Sequence, residues 1–152
     1  MDNLIFRRAV SQDMDDILQM ELEVFAGEQK IPSTIIPLPA EKFPRWWCAS
    51  IDKSIVGAVA AWKENDLIHW GRFAIGKSYR GLHIGAKLAR YSLDDLFSQQ
   101  IEEVYIDARD ATVKIICNLG GKIIGEPMAF YNDDVTPVIL KKKFFNQKCI
   151  MN

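Results

Sequence analysis

The stretch that decides the fold is FAIGKSYRGLHIGAKLAR, which runs from Phe73 to Arg90. Its apolar start is typical of the end of a strand, and its last third has the periodicity of an amphipathic helix. Between them lies a basic loop with Gly81 and Gly85, where the missing Cβ lets ligand oxygens approach the main chain closely. A helix N-terminus has unpaired N–H groups and a partial positive charge, and Arg80 adds a forked cation. The pattern therefore predicts a phosphate or pyrophosphate site at this strand–loop–helix junction.

Size and composition predict an ordinary globular protein. The chain has 152 residues, enough for one domain over residues 1–152, and its 19 basic residues balance 20 acidic ones. No whole-molecule field therefore favours nucleic acid, and a phosphate ligand must be held by local geometry. The longest apolar run, Ile55 to Trp62, is too short to span a bilayer, and no signal-peptide pattern is evident. Three scattered cysteines without metal-ligand spacing, Cys48, Cys117 and Cys149, suit a reducing compartment. We expect a cytoplasmic protein with no metal and with no membrane or nucleic-acid partner.

The hydrophobic pattern alternates between strands and helices, which predicts an α/β protein. Prolines interrupt the segment from Ala26 to Pro44, and we expect a loop or short helices there that cover a binding cleft. Short turns between the β-rich runs that follow predict an antiparallel meander. The predicted strands are Leu4–Val10, Trp46–Ile51, Ile55–Lys63, Leu67–Ile75, Val104–Arg109, Lys122–Tyr131 and Thr136–Phe145, and the predicted helices begin near Ser11, Ile84 and Asp110.

The hexapeptide Arg80-Gly81-Leu82-His83-Ile84-Gly85 resembles the coenzyme A-binding motif of the GNAT acyltransferase superfamily. In that motif Arg or Gln is followed by two residues, Gly, one residue, and Gly or Ala. This chain keeps Arg80 and Gly85 but has His83 in place of the middle glycine. The predicted order of elements also matches the GNAT fold over nearly the whole chain. The resemblance implies a mixed, mostly antiparallel central sheet of six or seven strands with helices on both faces.

The resemblance further implies an acetyl-CoA-dependent N-acetyltransferase. The acetyl group would move to a primary amine of a small molecule or peptide by direct attack in a ternary complex, and a homodimer through a sheet edge is a further possibility. The pyrophosphate would lie on backbone amides beside the motif arginine, and the thioester would meet the end of the fourth strand. The implied coenzyme-binding residues are Phe73, Ala74, Ile75, Arg80, Gly81, Leu82, His83, Ile84, Gly85 and Ala86.

The sequence indicates the proton-transfer residues less directly. His69 is the predicted base, since an imidazole titrates near neutral pH and strand alternation puts it on the face of Phe73 and Ile75. The alternative is a structural histidine between strands. The resemblance implies a general-acid tyrosine at the position of Ile116, and the predicted replacement is Tyr131 near the final hairpin.

Two charged residues on the predicted strands are further candidates. Asp107 can face the cleft with a raised pKa, or it can be a hydrogen-bonded part of the scaffold. Alternation puts Arg72 on the face opposite to His69, where it either pairs with a carboxylate such as Glu28 or binds an acidic acceptor.

Two other functions stay open. Residues 24–32 are similar to a segment in one bacterial branch of the family, and residues 71–75 are similar both to that branch and to the acyl-homoserine-lactone synthases. This similarity implies, as the alternative, a longer acyl group delivered by acyl carrier protein, although the motif at residues 80–85 suits a nucleotide pyrophosphate. The missing tyrosine and the altered glycine also fit a non-catalytic module that binds coenzyme A.

Overall fold

The computed structural model describes residues 3–145, and Cys149 lies outside that range. The predicted bounds of the fourth strand and the predicted start of the second helix are confirmed. The strands are β1 Leu4–Arg8, β2 Arg45–Ile51, β3 Ser54–Glu64, β4 Leu67–Ile75, β5 Glu103–Ala108, β6 Lys122–Ile123, β7 Met128–Phe130 and β8 Asp133–Lys141. The α-helices are α1 Met14–Glu21, α2 Ile84–Phe97 and α3 Asp110–Asn118.

The described strands form a sheet in the order β1-β2-β3-β4-β5-β8-β6, with β7 also paired to β8. Neighbouring strands are antiparallel except β4 and β5, which are parallel. The prediction of a mixed, mostly antiparallel sheet is confirmed. Eight strands are present instead of six or seven because the predicted strand over residues 122–131 forms two short strands. Gly125 and Pro127 stand between these two, and proline cannot donate to a strand ladder.

Helices cover both faces of the sheet. On one face α2 and α3 pack over the main core, where the indole N–H of the buried Trp70 donates to Ser92 Oγ at 3.0 Å. On the other face the side chain of Ile17 in α1 packs against small residues, including Ala58 and Ala74. Because alanine is small, α1 can lie close to this part of the sheet. The expected placement of helices on both faces is therefore confirmed.

Strand β4 contains a bulge at Arg72, whose φ is +53°. Gly71 pairs with Ala60 and Ala74 pairs with Ala58, so that β4 has one more residue than β3 between the same two rungs. A bulge of this kind reverses the face on which the following side chains lie.

Because of the bulge, the side chains of β4 do not lie on the faces of the sheet that simple alternation predicts. Phe73 and Ile75 pack towards α2, and the ring of Phe73 lies 5.2 Å from that of Trp70. His69 lies on the opposite face, where its ring stacks on Trp62 with the centroids 5.8 Å apart. The prediction that His69 shares a face with Phe73 and Ile75 is wrong, because it assumed an unbroken alternation along the strand.

The segment after α1, residues 22–44, is here called the cover segment. It begins with a π-helical turn over Leu22–Glu28 and continues with 3₁₀ turns over Ser33–Ile35 and Ala40–Lys42. The prediction of short helices in this region is confirmed, but the π-helical turn is not part of that prediction. The buried apolar side chains of the cover segment include Val24, Ile31 and Ile36.

An ion pair fixes the chain at the start of α1. Arg7 donates from Nη1 and Nη2 to the two carboxylate oxygens of Asp13, at 2.7 and 2.9 Å. The N–H of Val10 also donates to Asp13 Oδ2 at 2.7 Å. The hydrogen bonds from Arg7 lower the pKa of Asp13 to about 2.

Replacing Asp13 with Asn should lower the free energy of unfolding by about 1 kcal/mol at neutral pH, because the pair is partly exposed to solvent. The folded-state pKa is depressed, so the stabilisation is complete above the unfolded pKa of about 3.9 and is lost as the pH falls towards 2. Urea unfolding of both proteins at neutral and acidic pH measures this difference. The exposed Glu23→Gln is the control, and a gap that does not shrink in acid would contradict the prediction.

Candidate functional site

A cavity of about 630 Å³ opens where β4 and β5 part. The two strands share one paired position, His69 with Tyr105, and no further pairing joins them within the described residues. The walls are the ends of β4 and β5, the loop before α2, the first turns of α2 and α3, and the cover segment. A concave, mostly apolar space with a few polar groups is typical of a ligand-binding site.

The structure gathers most of the predicted coenzyme-binding residues on the wall of this cavity. Leu82 is the exception, since its side chain is 46% exposed and lies outside the lining. That these residues bind a coenzyme stays a prediction. The predicted residues on the wall are Phe73, Ala74, Ile75, Arg80, Gly81, His83, Ile84, Gly85 and Ala86.

Two left-handed residues turn the chain into α2. Gly81 has a φ of +80°, and a Cβ there would meet open space. His83 has a φ of +64° and is the N-cap residue, so a histidine adopts a conformation that glycine favours. The amides of Ile84, Gly85 and Ala86 lie in the first turn, which has no intrahelical acceptors for them. These free donors border the cavity.

Gly85 serves the packing of α2 against β4. A Cβ at this position would lie 3.2 Å from Cζ of Phe73 and 3.5 Å from Cγ1 of Ile75. The first of these distances is tighter than an ordinary contact, so a side chain would push the helix away from the strand. Glycine therefore holds the N-terminus of α2 close to the end of β4.

Two adjacent residues at the end of the π-helical turn bridge the mouth of the cavity. The carboxylate of Glu28 accepts from Nη1 and Nη2 of Arg80 at 2.7 and 2.9 Å, and these bonds lower the pKa of Glu28. Gln29 Oε1 accepts from Nε of Arg109 at 3.0 Å. The gap that opens between the ends of β4 and β5 is here called the wedge. Because Arg80 follows β4 and Arg109 follows β5, the cover segment is hydrogen-bonded to both sides of the wedge.

The two predicted catalytic residues lie outside the lining of the cavity. His69 lies where β4 and β5 are still paired, with its ring 5.8 Å from Trp62 and 6.2 Å from Tyr105. Tyr131 is 54% exposed in the turn before β8. Ile116, the position of the implied tyrosine, is buried in the core on α3. The catalytic roles of His69 and Tyr131 stay predictions.

Arg72 lies on the same side of the sheet as His69, contrary to the prediction, because the bulge turns it there. Its guanidinium lies 5.2 Å from the centroid of the Trp62 ring. It donates from Nε to the carbonyl of Ile36 at 2.9 Å and from Nη2 to that of Ile35 at 3.1 Å. Arg72 therefore ties β4 to the cover segment.

The carboxylates on the cavity wall are Glu28 and Asp107. Glu28 is bound to Arg80, so the suggested pair between Glu28 and Arg72 is not formed. Asp107 lines the cavity, and its side chain forms no ion pair with any residue in the described range. Asp107 therefore lies at the cleft, and which of its two predicted roles it has stays a prediction.

Sequence reasoning missed Arg109 and Gln29 as residues of the cavity wall. Arg109 directly follows β5, and residues beyond the carboxyl ends of diverging parallel strands generally face the crevice. That rule would have identified Arg109. No sequence pattern identifies Gln29, because its contact with Arg109 depends on the π-helical turn that precedes it.

Residues 3–145 contain no group of three or more His, Cys, Asp and Glu side chains that could hold a metal ion. Among the helices in the same range, none is long and apolar enough to cross a membrane.

Replacing His83 with Gly should raise the free energy of unfolding by up to about 1 kcal/mol, because it removes the left-handed strain of a residue with a Cβ. The gain is limited because glycine also adds disorder to the unfolded chain. Urea unfolding measures the change, with the exposed neighbour Leu82→Gly as the control that should lose about 0.5–1 kcal/mol. Equal losses in the two variants would show that the left-handed conformation of His83 carries no strain.

The comparisons with known proteins agree with this architecture. A family model for acetyltransferases of the GNAT family matches residues 12–125. No curated protein matches the chain. Among solved structures, a GNAT-family acetyltransferase from Staphylococcus aureus Mu50 is 18% identical with a TM-score of 0.69, covering 91% of this chain and 98% of that one. Escherichia coli ElaA is 17% identical with a TM-score of 0.76, covering 89% and 98%. A GCN5-related N-acetyltransferase from Kribbella flavida is 17% identical with a TM-score of 0.73, covering 92% and 98%.

At these identities the solved structures show a shared fold, whereas the family match concerns the sequence itself. That match spans well over half of the 152 residues and includes the loop before α2 and the whole of that helix. The chain therefore belongs to the GNAT family of acetyltransferase enzymes.

Proposed function

We propose that this enzyme transfers an acetyl group from acetyl-CoA to a primary amine of a small molecule or peptide. Members of its family use acetyl-CoA or another acyl-CoA as the acyl donor. The observation that carries the proposal is the continuous cavity between the free amides of α2 and the wedge between β4 and β5. A donor with a diphosphate near one end and a thioester at the other matches these two different environments.

The donor end of the cavity would recognise the diphosphate through the first turn of α2. The amides of Ile84, Gly85 and Ala86 supply donors, and the helix dipole adds a partial positive charge. Arg80 would exchange the carboxylate of Glu28 for phosphate oxygens, since both are anionic partners for the same forked donor. The pantetheine would follow the backbone at Phe73.

The transfer itself needs a neutral amine held against the thioester. The amine nitrogen bonds to the carbonyl carbon, the C–S bond breaks, the amine gives up a proton, and coenzyme A leaves as the thiol. Asp107 is the carboxylate on the wall without an ion pair, whereas His69 lies behind the wall and would accept the proton through a water molecule. The sequence predicts His69 as the base, but we propose Asp107 instead because it lies on the cavity wall, and Tyr131 stays the proposed acid.

Saturating acetyl-CoA should raise the melting temperature by about 5–10 °C, because a ligand at 100 times its Kd stabilises the native state by about 2.7 kcal/mol. Arg80→Gln should weaken binding about tenfold through the loss of charge-assisted hydrogen bonds. Glu28→Gln should bind at least as tightly as the parent, since it frees the guanidinium. Arg45→Gln, outside the cavity, is the control. Absence of any shift, or turnover with acyl carrier protein alone, would contradict the proposed donor.

The base can be assigned from three variants. We expect Asp107→Asn to lower kcat/KM by about 100-fold or more, the usual contribution of a general base, because Asp107 lies on the cavity wall. His69→Ala should then retain the pH profile of the parent, and Tyr131→Phe tests the acid by removing one hydroxyl. Steady-state rates across the pH range measure all three. A large loss in His69→Ala together with a changed pH profile would make His69 the base instead.

A further inference from the structure

Two guanidinium groups line the cavity without a carboxylate partner. Arg72 stands at the bulge of β4, and Arg109 stands just after β5, so the cations border the wedge from both strands. Within residues 3–145 neither of them forms an ion pair. The third arginine of the wall, Arg80, is neutralised by Glu28. The cavity wall therefore has two positive charges without an ion-pair partner among the described residues.

The surroundings of Arg72 disfavour its charge. Its hydrogen bonds go to neutral carbonyls of the cover segment, and its Nη1 has no acceptor among the described residues. Burial lowers the pKa of Arg72, and the charges of Glu21 and Glu64, which form no ion pair with it, oppose that shift. Burial also raises the pKa of Glu21 well above its usual range, and Glu64 forms its ion pair with Lys42. A half-buried cation without an anionic contact is unfavourable, and an anionic ligand would offset part of that cost.

Arg109 also has an unused donor. Its Nε donates to Gln29, and its Nη1 donates to backbone carbonyls of Phe130 and Asp133. Its Nη2 is buried and has no hydrogen-bond partner, a rare state for a polar group. The ring of Phe130, which also lines the cavity, lies 5.5 Å from the guanidinium. The free Nη2 is therefore a donor that an anionic ligand could use, next to an aromatic ring of the same wall.

Asp107 supplies the opposite charge at the same place. It lies two residues before Arg109, which directly follows β5 in an extended conformation, so the two Cα atoms are about 6.6 Å apart. A carboxylate there attracts an ammonium group. The cavity wall therefore carries one carboxylate and two guanidinium groups without ion-pair partners among the described residues, which is the charge pattern that complements a zwitterionic amino acid.

We infer that the acceptor amine carries a carboxylate, as an amino acid does, and that Arg72 binds this carboxylate with Arg109 as a second cation. Asp107 then binds the ammonium group and takes up its proton, so that the amine attacks the thioester in its neutral form. Arginine suits this role because its planar fork matches a carboxylate and keeps its charge. The inference rests on the proposed function, since it names the acceptor for the same site.

The test uses matched acceptors that differ only in the acid group. Acetyl transfer from acetyl-CoA is measured with a panel of L-amino acids and with the corresponding L-amino acid amides. The amine of an amide is less basic, so more of it is neutral, and chemistry alone would favour the amide. We expect kcat/KM to favour the acids by about tenfold or more, as the loss of a charge-assisted hydrogen bond predicts. A ratio of one or less overturns the inference.

Single substitutions then test whether Arg72 is the residue that binds the carboxylate of the acceptor. Arg72→Gln should reduce the acid-to-amide ratio at least about fivefold, Arg72→Lys should retain part of it, and Arg45→Gln should leave it unchanged. Arg80→Gln should weaken acetyl-CoA binding without changing the ratio, because Arg80 serves the donor. A ratio that survives in Arg72→Gln would show that Arg72 does not bind the acid.

A binding measurement covers the case in which no acceptor of the panel is turned over. N-acetyl-L-amino acids and their amides are titrated by calorimetry into the protein saturated with coenzyme A, and into the free protein if coenzyme A does not bind. Tighter binding of the acids, lost in Arg72→Gln, supports the inference. Equal binding of the two, or no binding of either, overturns it. Failure of acetyl-CoA to bind overturns the proposed function separately, because the acids are also tested without it.

Discussion

The extra residue at Arg72 is the constraint on which the site depends. A left-handed non-glycine residue costs about 1–2 kcal/mol, and here two hydrogen bonds to the cover segment and the face of Trp62 offset that cost. Without the bulge, simple alternation would turn Phe73 away from α2. With it, Phe73 packs against Gly85, and the N-terminus of the helix is held beside the strand end.

The cover segment supplies hydrogen-bond acceptors for the three arginines of the cavity wall. Arg80, which the proposed donor would need, is bound by Glu28, and Arg109 is bound in part by Gln29. Neutral carbonyls of the same segment hold Arg72. One stretch of chain therefore contacts the cations beside both strands through polar groups, while its buried apolar side chains line the same cavity.

Local sequence patterns predicted the order of the elements and the packing of helices on both faces of the sheet. They also predicted coenzyme-binding residues, most of which lie on the cavity wall. Hydrophobic periodicity located β4 and α2, and the glycine-containing loop located the cavity. The predicted faces of His69 and Arg72 were wrong because neither the composition nor the hydrophobic period of a strand shows where a bulge inserts an extra residue. The exchange of partners between Glu28, Arg72 and Arg80 depends on which side chains reach each other across the fold. A cytoplasmic location and a homodimer stay predictions.

The π-helical turn makes the site sensitive to the insertion or deletion of a single residue in this segment. Successive helical residues are about 100° apart around the axis, so removing one residue between positions 22 and 28 would rotate both Glu28 and Gln29 by that angle. Neither would then point at its guanidinium. The number of residues in this turn is thus as much a part of the site as their identity. A related chain with one residue fewer in this turn would still have the same residue types at the aligned positions of Glu28 and Gln29. Its two side chains would nevertheless leave the mouth of the cavity unbridged.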